Sequence, residues 1–265
     1  MHLPELVLNG DTQTIRGDLV RLVSEWIFSS SFKLGTSNLT SNTASPQTPN
    51  STNTNVFCLV SRTESVSDTL PMPCIVHWLN EIGYLGGYIS FTPSPNYPAR
   101  TPQSTLHALP ITLTHQACSV EADASKNFID AFAKNPWAVN EDMEQRFEAL
   151  FVTPLRAFVF SRPGYTWKPL DPMVFVLDCS HLVDPSSTME SPLGLNSPEK
   201  ERLDIEDARK LEKEGRLAYA RLADWVTSRE VRTLPAHVKF LILAHRRTGL
   251  GSLLENKGVP FVYEA

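Results

Sequence analysis

The sequence predicts an α/β fold, a three-layer sandwich built on a mainly parallel central sheet. Three observations predict it. Four short runs, Val56–Val60, Tyr84–Phe91, Met173–Asp178 and Val238–Leu243, are apolar almost throughout, as strands covered on both faces are. Segments with helical apolar spacing stand between them, and that alternation is the pattern of βαβ units. The chain is 265 residues long and 42% hydrophobic, enough for one large core or two small ones.

Thr12–Phe28 carries Ile15, Leu19, Leu22, Val23, Trp26 and Ile27 at helical spacing, and residues 1–28 are read as a helical lead-in. Residues 29–55 are rich in Ser, Thr and Asn and too poor in apolar side chains to offset the entropy of ordering. They are expected to be a disordered, low-complexity insertion. Residues 56–265 would then form the main domain. Pro73–Gly83 opens on proline, closes on glycine and places Ile75, Val76, Leu79 and Ile82 on one face, which predicts a short helix.

Thr92–Pro102 is a proline-rich turn, and Ser104–Cys118 is helical with Pro110 expected to kink or interrupt it. Ser125–Lys134 and Asn140–Val152 are each capped and periodic, with Pro154–Arg156 extending the second. Met189–Lys200 is a polar loop. Glu201–Ser228 is a long helix with Leu203, Leu211, Leu217, Ala218, Leu222 and Trp225 on its apolar side. Ser252–Lys257 is a short helix and Pro260–Tyr263 an edge-like strand.

Composition excludes several functions. The net charge of −5 and the scattered basic residues argue against nucleic-acid binding. No apolar run reaches the ~18 residues of a membrane span, and the first residues do not read as a secretory signal. Cys58, Cys74, Cys118 and Cys179 lie far apart without a CxxC pair, which predicts reduced thiols in a cytoplasmic protein. Asn38 and Asn50 match the glycosylation sequon by chance within the Ser/Thr/Asn-rich stretch.

In parallel sheets ligands sit beyond the carboxyl ends of the strands. That directs attention to Ser61–Asp68, Cys179–His181 and Ala244–Arg247. Asp178 closes an apolar strand, a costly place for a charge unless it meets a cation or hydrogen-bond donors. Two readings stay open: a magnesium-holding aspartate, or a strand-end aspartate that caps its own loop. The residues after it, Cys179, Ser180, His181 and Leu182, include no acid to orient an attacking water.

The loop after Val60 reads SRTESVSDTL. A phosphate loop needs glycines for close backbone approach, a lysine, and a Ser or Thr for magnesium. Here Ser61 and Val66 take the glycine positions, Ser67 the lysine and Asp68 the hydroxyl position, while Glu64 and Asp68 bring negative charge. Losing the lysine alone removes a charge-assisted contact of about 1.5–3 kcal/mol. Leu8–Leu19 has two glycines before a helix but no GK[ST], and Arg246 or Arg247 could meet a phosphate or face solvent. No nucleophile elbow or Cys/His pair marks a hydrolase.

Several segments in order resemble the NACHT domain of STAND-class P-loop ATPases, in the nephrocystin-like form of fungal NLR-like proteins. GDTQTIRGDLVRLVSEWI is similar to the family's leading helix, and CIVHWLNEIGYLGGYISF to the helix and strand after the phosphate loop. QRFEALFVTPL is similar to the segment before the acid-bearing strand, VFVLDCSHL to that strand, and VKFLILAHRRT to the sensor strand. The resemblance implies a P-loop NTPase-like topology, with Asp178 as the magnesium acid and Arg246 as the sensor. Nucleotide contacts would fall to Ser61, Ser67, Asp68 and Thr69. The departures imply a module without competent ATP hydrolysis, with no resident cofactor and Mg-ATP only as an atypical ligand. Such a module would act through other proteins and could oligomerise. The alternative is an atypical ATP- or GTP-binding switch of the same class.

Overall fold

The computed structural model describes residues 13–28, 55–61, 72–91, 101–161, 171–180, 213–245 and 248–263. The low-complexity stretch up to residue 54 and residues 201–212 of the expected long helix lie outside the described residues.

Five strands form one sheet in the order β2-β3-β4-β1-β5, and every described pairing is parallel. They are β1 (Val56–Ser61), β2 (Leu85–Ser90), β3 (Met173–Cys179), β4 (Val238–His245) and β5 (Phe261–Tyr263). The four apolar runs read from the sequence are the first four of these, each shifted by no more than two residues at an end. Every residue of β3 is buried, as is every residue of β4 except His245.

Helices cover both faces, because alternate residues of a strand point to opposite sides. On one side α1 (Gln13–Phe28) and α2 (Met72–Glu81) pack Val23, Trp26, Ile27, Ile75, Trp78 and Leu79 onto Phe57, Leu59, Val174, Val176, Leu241 and Leu243. Trp26 stacks on Phe57 with ring centroids 5.4 Å apart. On the other side lie α3 (Pro102–Val120), α4 (Ser125–Lys134), α5 (Met143–Phe147), α6 (Thr153–Ser161), α7 (213–226), α8 (Arg229–Arg232) and α9 (Leu250–Asn256). Phe175 and Phe240 stack at 5.7 Å across β3 and β4, and Phe147, Phe151 and Trp225 close over them.

Local chemistry sets the helix ends. Gly83, at φ 74°, ends α2 in a Schellman turn: Tyr84 N–H donates to Leu79 O and Gly83 N–H to Asn80 O. Thr101 and Ser104 cap α3 reciprocally. Pro110 does not break α3. Proline removes one backbone donor and crowds the preceding turn, and there the buried Arg146 guanidinium donates to His107 O at 2.7 Å and to Glu141 O at 2.7 Å.

The expected helix Asn140–Val152 starts at Met143 and runs on through a π segment into α6, taking in the expected extension over Pro154–Arg156. A 3-10 turn (Pro136–Asn140) precedes α5, whose N-cap Asp142 accepts from Gln145 N–H, and a π segment (Glu148–Val152) leads into α6. Thr114 Oγ1 donates to Leu150 O at 2.9 Å, satisfying a carbonyl within the π segment. Leu217, expected on the apolar side of the long helix, is 53% exposed, and Tyr219 and Ala223 take the buried positions beside Ala218 and Leu222.

β2 is an edge strand that α3 approaches closely. A register shift between Leu85 and Gly87 leaves both glycines of YLGGY against neighbours. A methyl group at Gly86 would lie 2.6 Å from Met173 Cγ, and one at Gly87 2.6 Å from Gln116 Cδ. Gln116 Nε2 in turn donates to Tyr88 O at 2.9 Å, covering part of the open edge. Gly87→Ala should lower stability by about 1–3 kcal/mol through overpacking. In a Gln116→Ala background that cost should shrink, because the clashing side chain is gone. Urea melts of the four chains read the cycle, and equal costs in both backgrounds would refute the close-approach account.

Lys239 is buried in β4 with its ammonium 5.6 Å from the Trp26 ring centroid, and burial holds its pKa down to about 8. An unfolded lysine titrates near ~10.4, so between about 8 and 10.4 the unfolded chain binds more protons and stability rises with pH. The full span is at most about 3 kcal/mol. Urea melts at pH 7.5 and 9.5 should show this rise in the native chain and not in Lys239→Met. An equal rise in both would place the titration elsewhere.

Candidate functional site

The carboxyl ends of β3, β4 and β1 lie side by side, with β4 in the middle. Asp178 pairs with Leu243, Cys179 with Ala244, and Ser61 with His245. With strands about 4.8 Å apart, the Ser61 backbone is roughly 10 Å sideways from Asp178 and ~7 Å further along. A ligand reaching all three strand ends would therefore have to span the full width of β4. Of the expected site residues, the structure describes Asp178 and the backbone of Ser61. Ser67, Asp68, Thr69 and Arg246 lie outside the described residues, as do Glu64 and His181.

Asp178 continues the file of Val174 and Val176, which faces α1 and α2, and is only 3% exposed. A carboxylate in such a place must find donors, and it finds three. Tyr88 on β2 donates its hydroxyl to Oδ2 at 2.5 Å. Ser180 donates its backbone N–H to Oδ1 at 3.0 Å and its hydroxyl to the same oxygen at 2.5 Å. The Ser180 contacts form an Asx turn, the local i to i+2 pattern by which aspartate caps its own loop. The loop-capping reading of Asp178 thus has direct geometric support.

Ser90, across from Asp178 in the β2–β3 register, hydrogen-bonds Tyr88 through its side chain. Burial, then the hydrogen bond and charge of Asp178, push the Tyr88 phenol up. On the opposite face burial does the same to the Cys58 and Cys179 thiols and to Tyr219, and the Asp178 charge adds to it for Cys179 and Tyr219. All four cysteines are free thiols, and the two buried ones are held in the unreactive protonated form. Among the described residues, no group of three or more His, Cys, Asp or Glu is placed to hold an ion, and no helix is long and apolar enough to cross a membrane.

Sequence reasoning placed Ser180 in a loop of interest without giving it a role, and missed Tyr88. Ser180 had a local signal, since an Asp followed two residues later by a small polar residue is a common turn pattern. Tyr88 had none, because its link to Asp178 crosses 90 positions of chain. The chain matches no family model, no curated protein and no solved structure.

Asp178→Ala should leave the Tyr88 and Ser180 donors without their acceptor and destabilise by about 1.5–3 kcal/mol, the range for hydrogen bonds to a charged group. Thermal or urea melts measure it, and a change below ~0.5 kcal/mol, the level of an ordinary surface substitution, would show that the network holds nothing together.

Proposed function

We propose that the chain is a degenerate NACHT-type module with P-loop NTPase-like topology. It acts in protein–protein interaction or signalling regulation in the cytoplasm, without competent ATP hydrolysis. The observation that carries this reading is the state of Asp178. The acid stands among the converging strand ends where a nucleotide site belongs, yet both its oxygens are engaged by donors from the chain itself.

Two further features support it. The strand order sets β4, the expected sensor strand, between the acid-bearing strand and the strand that leads into the expected phosphate loop. A site that draws on all three needs that adjacency. The segment from α4 to the following 3-10 turn also presents Ile129 at 66% exposure and Trp137 at 73%. Tryptophan is enriched at protein interfaces, so Trp137 is a residue at which such a contact would be tested first.

Magnesium would be held through Asp178 if a nucleotide bound. The arrangement does not fit that role as it stands, because the carboxylate is already bonded within the fold and, among the described residues, no group of three or more His, Cys, Asp or Glu gathers to share a cation. Melting with and without millimolar Mg-ATP tests the reading, since a ligand at about 100 times its Kd adds about 2.7 kcal/mol of stability. No shift and no phosphate release are expected. A clear shift would overturn the reading in favour of a nucleotide-binding switch.

A further inference from the structure

The net charge of −5 is not spread evenly along the chain. Residues 120–144 run from the last residue of α3 through α4 and the following 3-10 turn into α5. They carry Glu121, Asp123, Asp130, Glu141, Asp142 and Glu144 against Lys126 and Lys134, so this stretch holds −4 of the −5. Asp123, Asp130, Glu141 and Glu144 are exposed and form no ion pair among the described residues. The same stretch holds four of the eight large apolar side chains exposed among the described residues: Val120, Ile129, Trp137 and Val139. None of the four serves the core, since α4 is anchored by Phe128 and the turn by Ala138. The elements of this stretch pack on one another, so its acids and its apolar side chains share one region of the surface.

We propose that this surface docks a basic amphipathic helix of a partner protein, with Ile129 and Trp137 as its apolar anchors. The inference rests on the proposed role in protein–protein contact and names the chemistry of the partner. Charge selects the occupant. A second copy would bring −4 against −4, and nucleic acid or an anionic membrane surface is likewise repelled. A cationic segment is attracted: the acids steer its approach and orientation while the apolar contact holds it. Trp137 suits arginine in particular, because a guanidinium stacks on an indole face. Length suits a helix. α4 carries the chain from Ile129 to Lys134 and three further residues reach Trp137, so the two backbones lie within ~20 Å, about four turns of helix. A partner helix with leucines on one face and arginines flanking it meets both anchors and the acids around them.

The probe is a synthetic peptide of roughly 18 residues, about five turns, with leucine and arginine at amphipathic helical spacing. A second peptide has glutamate in place of arginine, and a third has the leucine–arginine composition without the spacing. Titrated into the isotope-labelled full chain, the first peptide should shift the amide signals of residues 120–144 and the Trp137 indole N–H. Ile129→Ala combined with Trp137→Ala should raise its Kd at least about tenfold, the loss expected of two interface anchors. Asp130→Asn, Glu141→Gln and Glu144→Gln together should raise it about threefold or more at ~0.05 M salt and much less at ~0.3 M, where the charges are screened. Every substituted side chain is exposed, and melting curves confirm that each variant is folded.

Equal binding of the glutamate peptide or of the unspaced peptide would overturn the proposal. So would an unchanged Kd in the double alanine variant, shifts centred outside residues 120–144, or no binding at millimolar peptide. A native chain that sediments as a dimer, with the dimer lost in the double variant, would give the surface to a second copy. Flotation with phosphatidylcholine vesicles, lost in the double variant, would give it to a lipid surface. Either result overturns the proposal as well. The parent reading fails separately. A Mg-ATP shift in the native chain overturns the pseudo-NTPase reading whatever the peptides do, whereas silent peptides beside a melt unresponsive to Mg-ATP remove only the partner named for this surface.

Discussion

The constraint on which this structure depends is the burial of β3 and β4 from both sides. Their inward residues on one face meet Trp26, Trp78 and Leu79, and on the other face Phe147, Phe151 and Trp225. A strand with two apolar faces can sit only in the middle of a sheet with a helix layer above and below. That requirement explains the parallel connections, since each strand must return past a covering helix before it can pair again. It also explains why polar groups gather at strand ends. A charge in the middle of β3 or β4 would be stranded in hydrocarbon, and the two formally charged residues that occur lie near strand ends, Lys239 being the second residue of β4 and over an aromatic ring. Asp178 obeys the same rule from the other end.

Much of this architecture was legible because it rests on composition over short windows. VFCLV, MVFVLD and VKFLIL are apolar enough that no other placement would cover them, and the proline and glycine around CIVHWLNEI mark its ends. The reading weakened where a distant residue decides. Pro110 predicts a kinked or interrupted helix by local rules, but α3 runs on through it, with Arg146, 36 positions on, bonded to the His107 carbonyl in the turn before. The π segment Glu148–Val152 is stabilised from α3 by Thr114, and nothing in its own residues announces it. Leu217 fell on the wrong side because a leucine was counted as apolar evidence, while the neighbouring Tyr219 in fact faces the core.

The site was half legible for the same reason. An acid at the end of an apolar strand must be satisfied, so Asp178 could be singled out, but its satisfier could not. Two kinds of partner meet the requirement equally well in sequence: a bound cation, or hydroxyl and amide donors from the fold. The distinction lies in Tyr88, placed beside Asp178 only by the β2–β3 register. Single-sequence reasoning has no access to that register. It reads Tyr84–Phe91 as a buried strand and says nothing of what lies across from Tyr88.

Satisfaction by the fold and by a ligand differ in what they do to a protein. A carboxylate that waits for a cation leaves a cost in the unliganded state, and that cost makes ligand binding able to shift a conformational balance. A carboxylate already bonded by Tyr88 and Ser180 carries no such cost. The free energy that a nucleotide site would keep in reserve is instead part of the stability of the β2–β3 edge, and α3 shares in it through Gln116 on the Tyr88 carbonyl. Hydrogen bonding of Asp178 thus ties the end of β3 to β2 and, under the proposed reading, suits a module that would work by contact rather than turnover.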